Sequence, residues 1–307
     1  MARALAQRRP RTLREQETIA GLLFVLPWLI GLLVFTAYPV IGTFYLSFTQ
    51  YSIADSPKWI GLDNYRQAFS HDPSFWPAVR NSAIYAGMSV PLKLVFALAL
   101  ALLMNMGARG IGVYRVIYYL PALVPPVAAS IAFNLMFSDA NGPVNEILSW
   151  IGITGPDWIR DPSWSKPMLV LLAMWPLGVE TLVFLAGLKE IPQDLLDAAS
   201  TDGASRFRRL TSVTIPLLTP MILFNLVIGV IGSFQVFTQA LVIGGTTGNP
   251  LGSTLMIMVL IYQNAFRYFA MGYAAALSVL LFLAVVVLTL VVFRSARFWV
   301  HYEGERV

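Results

Sequence analysis

Cysteine is absent from the 307-residue chain. That excludes a disulfide scaffold, thiolate zinc sites and thiol catalysis. Histidine is almost absent. Only His71 and His301 occur, far apart and each in a polar stretch, which argues against a histidine metal site. Charge is scarce too: Asp, Glu, Lys and Arg make up 12% of the chain, where a soluble domain carries about 25%. No Gly-x-x-x-x-Gly-Lys-Ser/Thr phosphate loop is present, and the closest cluster, residues 244–252, lacks the lysine. Energy for any ATP-driven work therefore has to come from a partner chain. No internal repeat is visible, and low-complexity sequence is confined to the basic N-terminus.

What the chain has in quantity is apolar sequence. It is 57% hydrophobic, with a mean hydropathy of +0.68. A helix needs about 20 apolar residues to cross a ~30 Å hydrocarbon layer. Six segments qualify: residues 19–48, 84–104, 116–137, 168–188, 220–242 and 273–293. The first contains Pro27 and Pro39 and is expected to tilt or bend. It is too long for the apolar stretch of a signal peptide, and no clean small-x-small site follows it, so it reads as a retained helix. The third contains Pro121, Pro125 and Pro126.

The net charge of +5 reads as topology rather than as attraction to nucleic acid, because the cations cluster beside apolar spans. With the N-terminus in the cytoplasm, the inner segments hold Arg3, Arg8, Arg9, Arg11, Arg14, Arg109, Arg115, Lys189, Arg206, Arg208, Arg209, Arg294, Arg297 and Arg306. The outer segments hold fewer than half as many: Lys58, Arg66, Arg80, Arg160, Lys166 and Arg267. Positive-inside then puts both termini in the cytoplasm, as an even number of spans requires. The division expected is a basic cytoplasmic N-terminus (1–18), a six-helix membrane domain (19–293) and a cytoplasmic tail (294–307). Outside, residues 57–80 suit a short interfacial helix with an aromatic belt, and 244–253 suit a flexible loop. Residues 255–266 read as an apolar re-entrant or surface helix, too short to span.

The most informative stretch lies between the fourth and fifth spans, residues 189–216. Pro192 suits the first turn of a helix, and Asp194 and Asp197 follow near its positive end. Leu195, Leu196 and Ala199 fall on one face. Gly203 is placed to end that helix at the residue past its C-cap. A second short helix carries Arg206, Arg208 and Arg209, and Pro216 is expected to stop it. A charged helix-turn-helix knob of this kind suits a groove on a cytoplasmic partner.

Here the chain resembles a known family. Asp197-Ala198-Ala199, three residues, Gly203, then Val213-Thr214-Ile215-Pro216 is similar to the Glu-Ala-Ala…Gly…Ile-x-Leu-Pro loop of ABC importer permeases. Asp stands for Glu at 197, Val for Ile at 213 and Ile for Leu at 215. Further matches are Ile60 through Tyr65, Arg115 with Tyr119-Leu120-Pro121, Gly142 through Asn145, and Tyr262 through Phe266 followed by Gly272-Tyr273. Together they resemble the sugar-permease branch, of the maltose and glycerol-phosphate type: binding-protein-dependent transport inner-membrane components. The resemblance implies an all-α, six-helix type I importer core in a bacterial inner membrane, with no catalytic site of its own. It implies a coupling loop, with Asp197, Ala198, Ala199, Asp202, Gly203 and Pro216 facing the ATPase. The implied partners are a second, similar but different permease, two ATPase subunits that hold ATP-Mg, and an external solute-binding protein. No cofactor, metal or nucleic acid is implied for this chain.

Transport needs polar groups facing the bundle interior, and such groups inside spans are costly. Candidates are Asn134, Trp175, Glu180, Thr181, Ser233, Gln235, Thr238, Gln239 and Tyr262. The resemblance favours Trp175, Ser233, Gln235 and Gln239 as solute contacts. An aromatic face can stack on a sugar, and amides can bond its hydroxyls. Each Ser, Thr or Gln can equally serve an interhelical hydrogen bond. Lys93 and Glu180 fall at similar depth in the second and fourth spans and are expected to pair. The other reading puts Glu180 on the solute path and Lys93 in a wet cavity. An ion-gradient-driven secondary transporter is the alternative function. It calls for internal repeats and broken helices in matching halves, and neither is legible here. A membrane-embedded enzyme calls for clustered ionisable groups, and the spans offer little beyond Glu180.

Overall fold

The computed structural model describes residues 13–106, 110–138 and 142–301, without the side chains of residues 13–16 and 19. Arg3, Arg8, Arg9, Arg11, Arg109 and Arg306 lie outside the described residues, as does the side chain of Arg14. The described residues are mostly helical, and among them one short ribbon pairs β1 (Thr49–Gln50) antiparallel with β2 (Lys58–Trp59).

Three spans are long rods. The first joins α1 (Leu13–Leu32) to α2 (Tyr38–Ser47) through a widened turn at Leu33–Ala37. Its apolar part, Ala20–Ser47, is 28 residues long. The bend expected from its prolines takes the form of that widened turn. Pro39 has no N–H and its ring crowds the carbonyl four residues back, so the turn before it opens. After α3 (Asp63–Ser70), α4 (Phe75–Asn105) forms the second rod, starting nine residues before the expected 84. The last is α16 (Met271–Ala296).

The other three spans are not the continuous helices that apolar content suggested. The third is α5 (Ile111–Leu123) and α6 (Pro126–Met136), meeting at 96°. Pro125 and Pro126 each bias the residue before them towards extended backbone, and Val124 and Pro125 take ψ of 128° and 134°. After α7 (Pro143–Trp150), the fourth is α8 (Pro162–Met174) and α9 (Gly178–Glu190), bent by 50° around Pro176. It begins six residues before the expected 168, where Asp161 caps α8 by accepting from the Ser163 amide at 2.8 Å. The fifth follows α10 (Gln193–Thr201), α11 (Arg206–Arg209) and α12 (Ile215–Leu217). It is α13 (Thr219–Phe234), and the chain breaks at residues 235–237 before α14 (Thr238–Gly244). Broken helices, which the sequence did not reveal, are thus a main feature of the bundle.

Two further expectations are corrected. Residues 244–253 are not a loose loop. The Thr254 hydroxyl donates to the Asn249 carbonyl at 2.7 Å, Asn81 Nδ2 donates to the Gly252 carbonyl at 2.8 Å, and Ser165 and Ser253 share a 2.7 Å hydrogen bond. Short-range bonds and two neighbouring helices consume the polar groups that a free loop would give to water. For the apolar segment after it, expected as a re-entrant or a surface helix, the surface alternative is the one corrected: α15 (Ile257–Tyr262), continuing through a wide turn at Gln263–Arg267, is buried, with Val259 and Leu260 covered.

Packing centres on α4, which runs along α9 and α13, while α16 runs along α2 and α13. Near Phe75 the core gathers Phe75, Tyr85, Met168, Met256 and Leu277. Near Asn105 it gathers Ala97, Ala101, Phe184, Leu188 and Leu218. Small residues at Ala97 and Ala101 let helix backbones approach, as membrane bundles require when lipid removes the hydrophobic drive between helices. Along the first rod only Ser47, at its end, is buried inside the chain among the residues from Ala20 onwards; the rest are partly or fully exposed.

Candidate functional site

The knob between α9 and α13 is shaped by backbone chemistry. Pro192 is the N-cap of α10, and its missing N–H costs nothing at a position where an amide has no helical partner. Asp197 accepts from Gln193 Nε2 one turn back at 3.0 Å. At the far end Gly203 takes φ +79°. Its amide donates to the Ser200 carbonyl and the Ala204 amide to the Ala199 carbonyl, each at 3.0 Å. This pair of bonds is a Schellman closure, which needs a left-handed residue at Gly203. The reason for glycine is conformational, since a Cβ there would touch nothing within 4 Å. Ser205 then caps α11, and the Arg209 guanidinium reaches back to Ser200 Oγ at 3.2 Å.

The knob's side chains face outwards. Asp197, Ala198, Asp202 and Gly203 are exposed, and Ala199 is half-buried. Leu195 and Phe207 (74% exposed) present apolar surface to solvent. Pro216 does not stop the second helix as expected. A wide turn at Leu210–Thr214 absorbs it, the helical run continues to Leu217, and the chain bends by 64° at Leu218 into α13.

The path candidates sit at the helix breaks. Trp175 ends α8 and packs on Phe133 of α6 at 5.7 Å between ring centroids. Gln235 is exposed at the end of α13, and Gln239 is half-buried on α14. The element α14 lies against α6 and also meets α8, so the break before α14 lies next to parts of the third and fourth spans. Tyr262 stacks obliquely on Phe237 at 5.1 Å, beside the same break. Asn134 and Thr238 are half-buried. Two candidates turn inwards instead. Ser233 donates to the Val230 carbonyl at 2.8 Å and Thr181 to the Leu177 carbonyl at 2.7 Å, so each satisfies its hydroxyl on its own helix.

Lys93 and Glu180 do pair: Lys93 Nζ donates to Glu180 Oε1 at 3.1 Å, with both side chains largely covered. Glu180 Oε2 is buried with no hydrogen-bond partner among the described residues. Asn225 of α13, which sequence reading passed over, donates to the Glu180 backbone carbonyl at 3.3 Å. Together Lys93, Glu180 and Asn225 tie α4, α9 and α13. Asn81 was missed as well. It holds α4 to residues 252–255 through the Gly252 and Leu255 carbonyls. The signal available for Asn225 was a lone amide in an apolar run; Asn81, between Arg80 and Ser82, offered none.

Residues 93–299 match the family described as "Binding-protein-dependent transport system inner membrane component". The chain is 40% identical over 302 residues to the probable ABC transporter permease protein YesP of Bacillus subtilis, covering 98% of this chain and 97% of that protein. It is 34% identical over 291 residues to the trehalose/maltose transport system permease protein MalF of Thermococcus litoralis, covering 93% and 96%. A chain from the crystal structure of a bacterial alginate ABC transporter, in complex with its alginate pentasaccharide-bound periplasmic protein, superposes with a TM-score of 0.82. It is 26% identical, over 94% of this chain and 98% of that one.

Proposed function

This chain belongs to the binding-protein-dependent transport system inner membrane components, a multi-pass permease subunit of an ABC importer, and from that premise we propose what it carries and how it is driven. The solute is a sugar or a related polar molecule. Support comes from relatives named for trehalose/maltose and alginate, and from aromatic and amide side chains at the helix breaks. Trp175, Gln235 and Gln239 contact the solute, with Glu180 beside the path and Ser233 shaping the wall.

The work comes from two separate ATPase subunits that hold ATP-Mg. They close on the knob at 189–216 and rock the bundle between outward-open and inward-open forms. The observation that carries this reading is the exposed, Schellman-closed knob. It is a rigid, outward-facing projection with apolar tips and acidic and basic edges, and an isolated chain has no use for it. Asp197, Ala198, Ala199, Asp202 and Gly203 meet the ATPase, and Pro216 shapes the turn behind them. Both termini are cytoplasmic in a bacterial inner membrane, and 1–18, 19–293 and 294–307 divide the chain. A second, similar permease completes the path and covers part of the first rod, whose α1 side chains from Ala20 on are largely exposed in this chain. An external binding protein delivers the solute.

The test is gentle purification of the tagged chain from its own membrane, with mass spectrometry of what accompanies it. The wild type should bring an ATPase, a second permease and a binding protein. Asp197→Lys combined with Gly203→Pro should lose the ATPase and keep the second permease. A chain that emerges alone, or a knob variant that keeps its ATPase, overturns the coupling assignment.

A further inference from the structure

Two clefts flank the first turns of α4, and both are bounded by Trp76. One is an apolar slot of about 250 Å³, walled by Phe69, Phe75, Val79 and Leu281 among others. The other is a cleft of about 490 Å³ on the adjoining face, where the charged and polar side chains of Arg80, Asn81 and Lys166 meet apolar ones of Pro77, Ile84 and Leu251. Their walls are fixed. Trp76 Nε1 donates to the Phe69 carbonyl at 3.1 Å, and its ring packs on those of Phe69 and Phe75. Asn81 is held by the Gly252 and Leu255 carbonyls, and Ser165, next to Lys166, is held by Ser253.

Arg80 and Lys166 both line this cleft. No Asp or Glu lines it, and neither cation has an ion-pair partner among the described residues. Two like charges held together by fixed elements repel, and an anion between them offsets that cost. On the rim, Leu251 is 93% exposed at φ +49°, a backbone that disfavours leucine. A free anion in water would need neither an apolar slot next door nor a leucine held outwards. A lipid uses all of these: chain in the slot, Trp76 at the junction, phosphate on the cations, and Leu251 in the boundary layer.

We propose that the Phe75 end of α4 carries a binding site for an anionic phospholipid, separate from the solute path. Arg80 and Lys166 hold the phosphate, and the slot under Trp76 takes an acyl chain. In the orientation proposed above this lipid belongs to the outer leaflet, but the site itself does not depend on that orientation.

The test is native mass spectrometry of the intact transporter complex, delipidated in detergent and supplied with phosphatidylglycerol or phosphatidylcholine. The wild type should retain phosphatidylglycerol in preference to phosphatidylcholine. Arg80→Gln and Lys166→Gln should each weaken phosphatidylglycerol retention about fivefold, and together bring it to the phosphatidylcholine level. Arg80→Lys should hold it, which separates lost charge from lost folding. Equal retention of the two lipids by the wild type, or undiminished phosphatidylglycerol on the double variant, overturns the proposal. Digalacturonate, a soluble acidic sugar, serves as the competing probe. If it displaces phosphatidylglycerol from the wild type, the cleft serves an anionic solute and the lipid assignment falls.

Discussion

In the knob, α10 packs chiefly on α11, and its form comes from a proline cap, a glycine in left-handed backbone and a few local bonds. Around α4, form comes from distant partners. Lys93 meets Glu180 across 87 residues, and Asn81 meets Leu255 across 174. The first kind of region keeps its shape while leaving side chains free for another protein. The second commits many of its polar groups inside the chain, as burial in lipid favours. A subunit that must transmit force needs both: a stiff projection and a bundle that moves in blocks.

If that division holds, damage to the core should be global and damage to the knob local. The largest effect is expected from Lys93→Ala or Glu180→Ala. Each leaves one charge unpaired within a span, at about 2.5–3.5 kcal/mol on insertion scales. Thermal denaturation in detergent should show a large loss for each single variant and recovery when the charges are exchanged, Lys93→Glu with Glu180→Lys. Should the exchange recover nothing, the pair is not what holds α4 to α9.

Next comes Gly178→Val. A Cβ at Gly178 would lie 2.9 Å from the Tyr118 carbonyl oxygen and from Tyr119 Cα, backbone atoms of α5 that cannot swing aside. The expected cost is about 1–3 kcal/mol. Gly232→Ala, where a Cβ meets nothing within 4 Å, is the harmless comparison. Equal melting of the two variants would show that the approach of α5 to α9 is loose.

Gly203→Ala should cost about 1–2 kcal/mol for forcing a side chain into left-handed backbone. That cost should stay in the knob. Hydrogen exchange should speed up for amides near 199–209 while the melting of the bundle is unchanged. A fall in bundle stability would erase the distinction between the two regions. The smallest effect is Gln193→Ala, which removes one exposed bond to Asp197 and should cost about 0.2–0.5 kcal/mol with no change in which chains co-purify.

The same contrast explains what the sequence revealed. The knob was legible because its determinants are adjacent: Pro192 and Gly203 act on their own neighbours, while the Ser205 cap came only with the structure. The Lys93–Glu180 pair was legible because charge in lipid must find a partner, and depth along two helices limits the choice. The bends were not. Pro125, Pro126 and Pro176 were visible, but hydropathy counts apolar residues without registering direction, so a right-angled pair reads as one span. The residues that most resemble sugar permeases proved largely architectural. Asn64 donates to the Ser47 and Thr49 carbonyls, Asn145 accepts from Trp158 Nε1, and Tyr273 donates to Asp72 Oδ2. Their roles depend on segments distant in sequence, which no local pattern supplies.

Because the chain contains no cysteine, one introduced thiol is unique, and that gives the most direct test of coupling through the knob. Leu195→Cys, on the exposed face of α10, is treated with a short thiol-to-amine cross-linker in native membranes, with Leu251→Cys as the control at the far end of the bundle. The account predicts an adduct of this chain with an ATPase subunit for Leu195→Cys and none for Leu251→Cys. An ATPase adduct at Leu251→Cys, or none at Leu195→Cys in a complex that hydrolyses ATP, would contradict it.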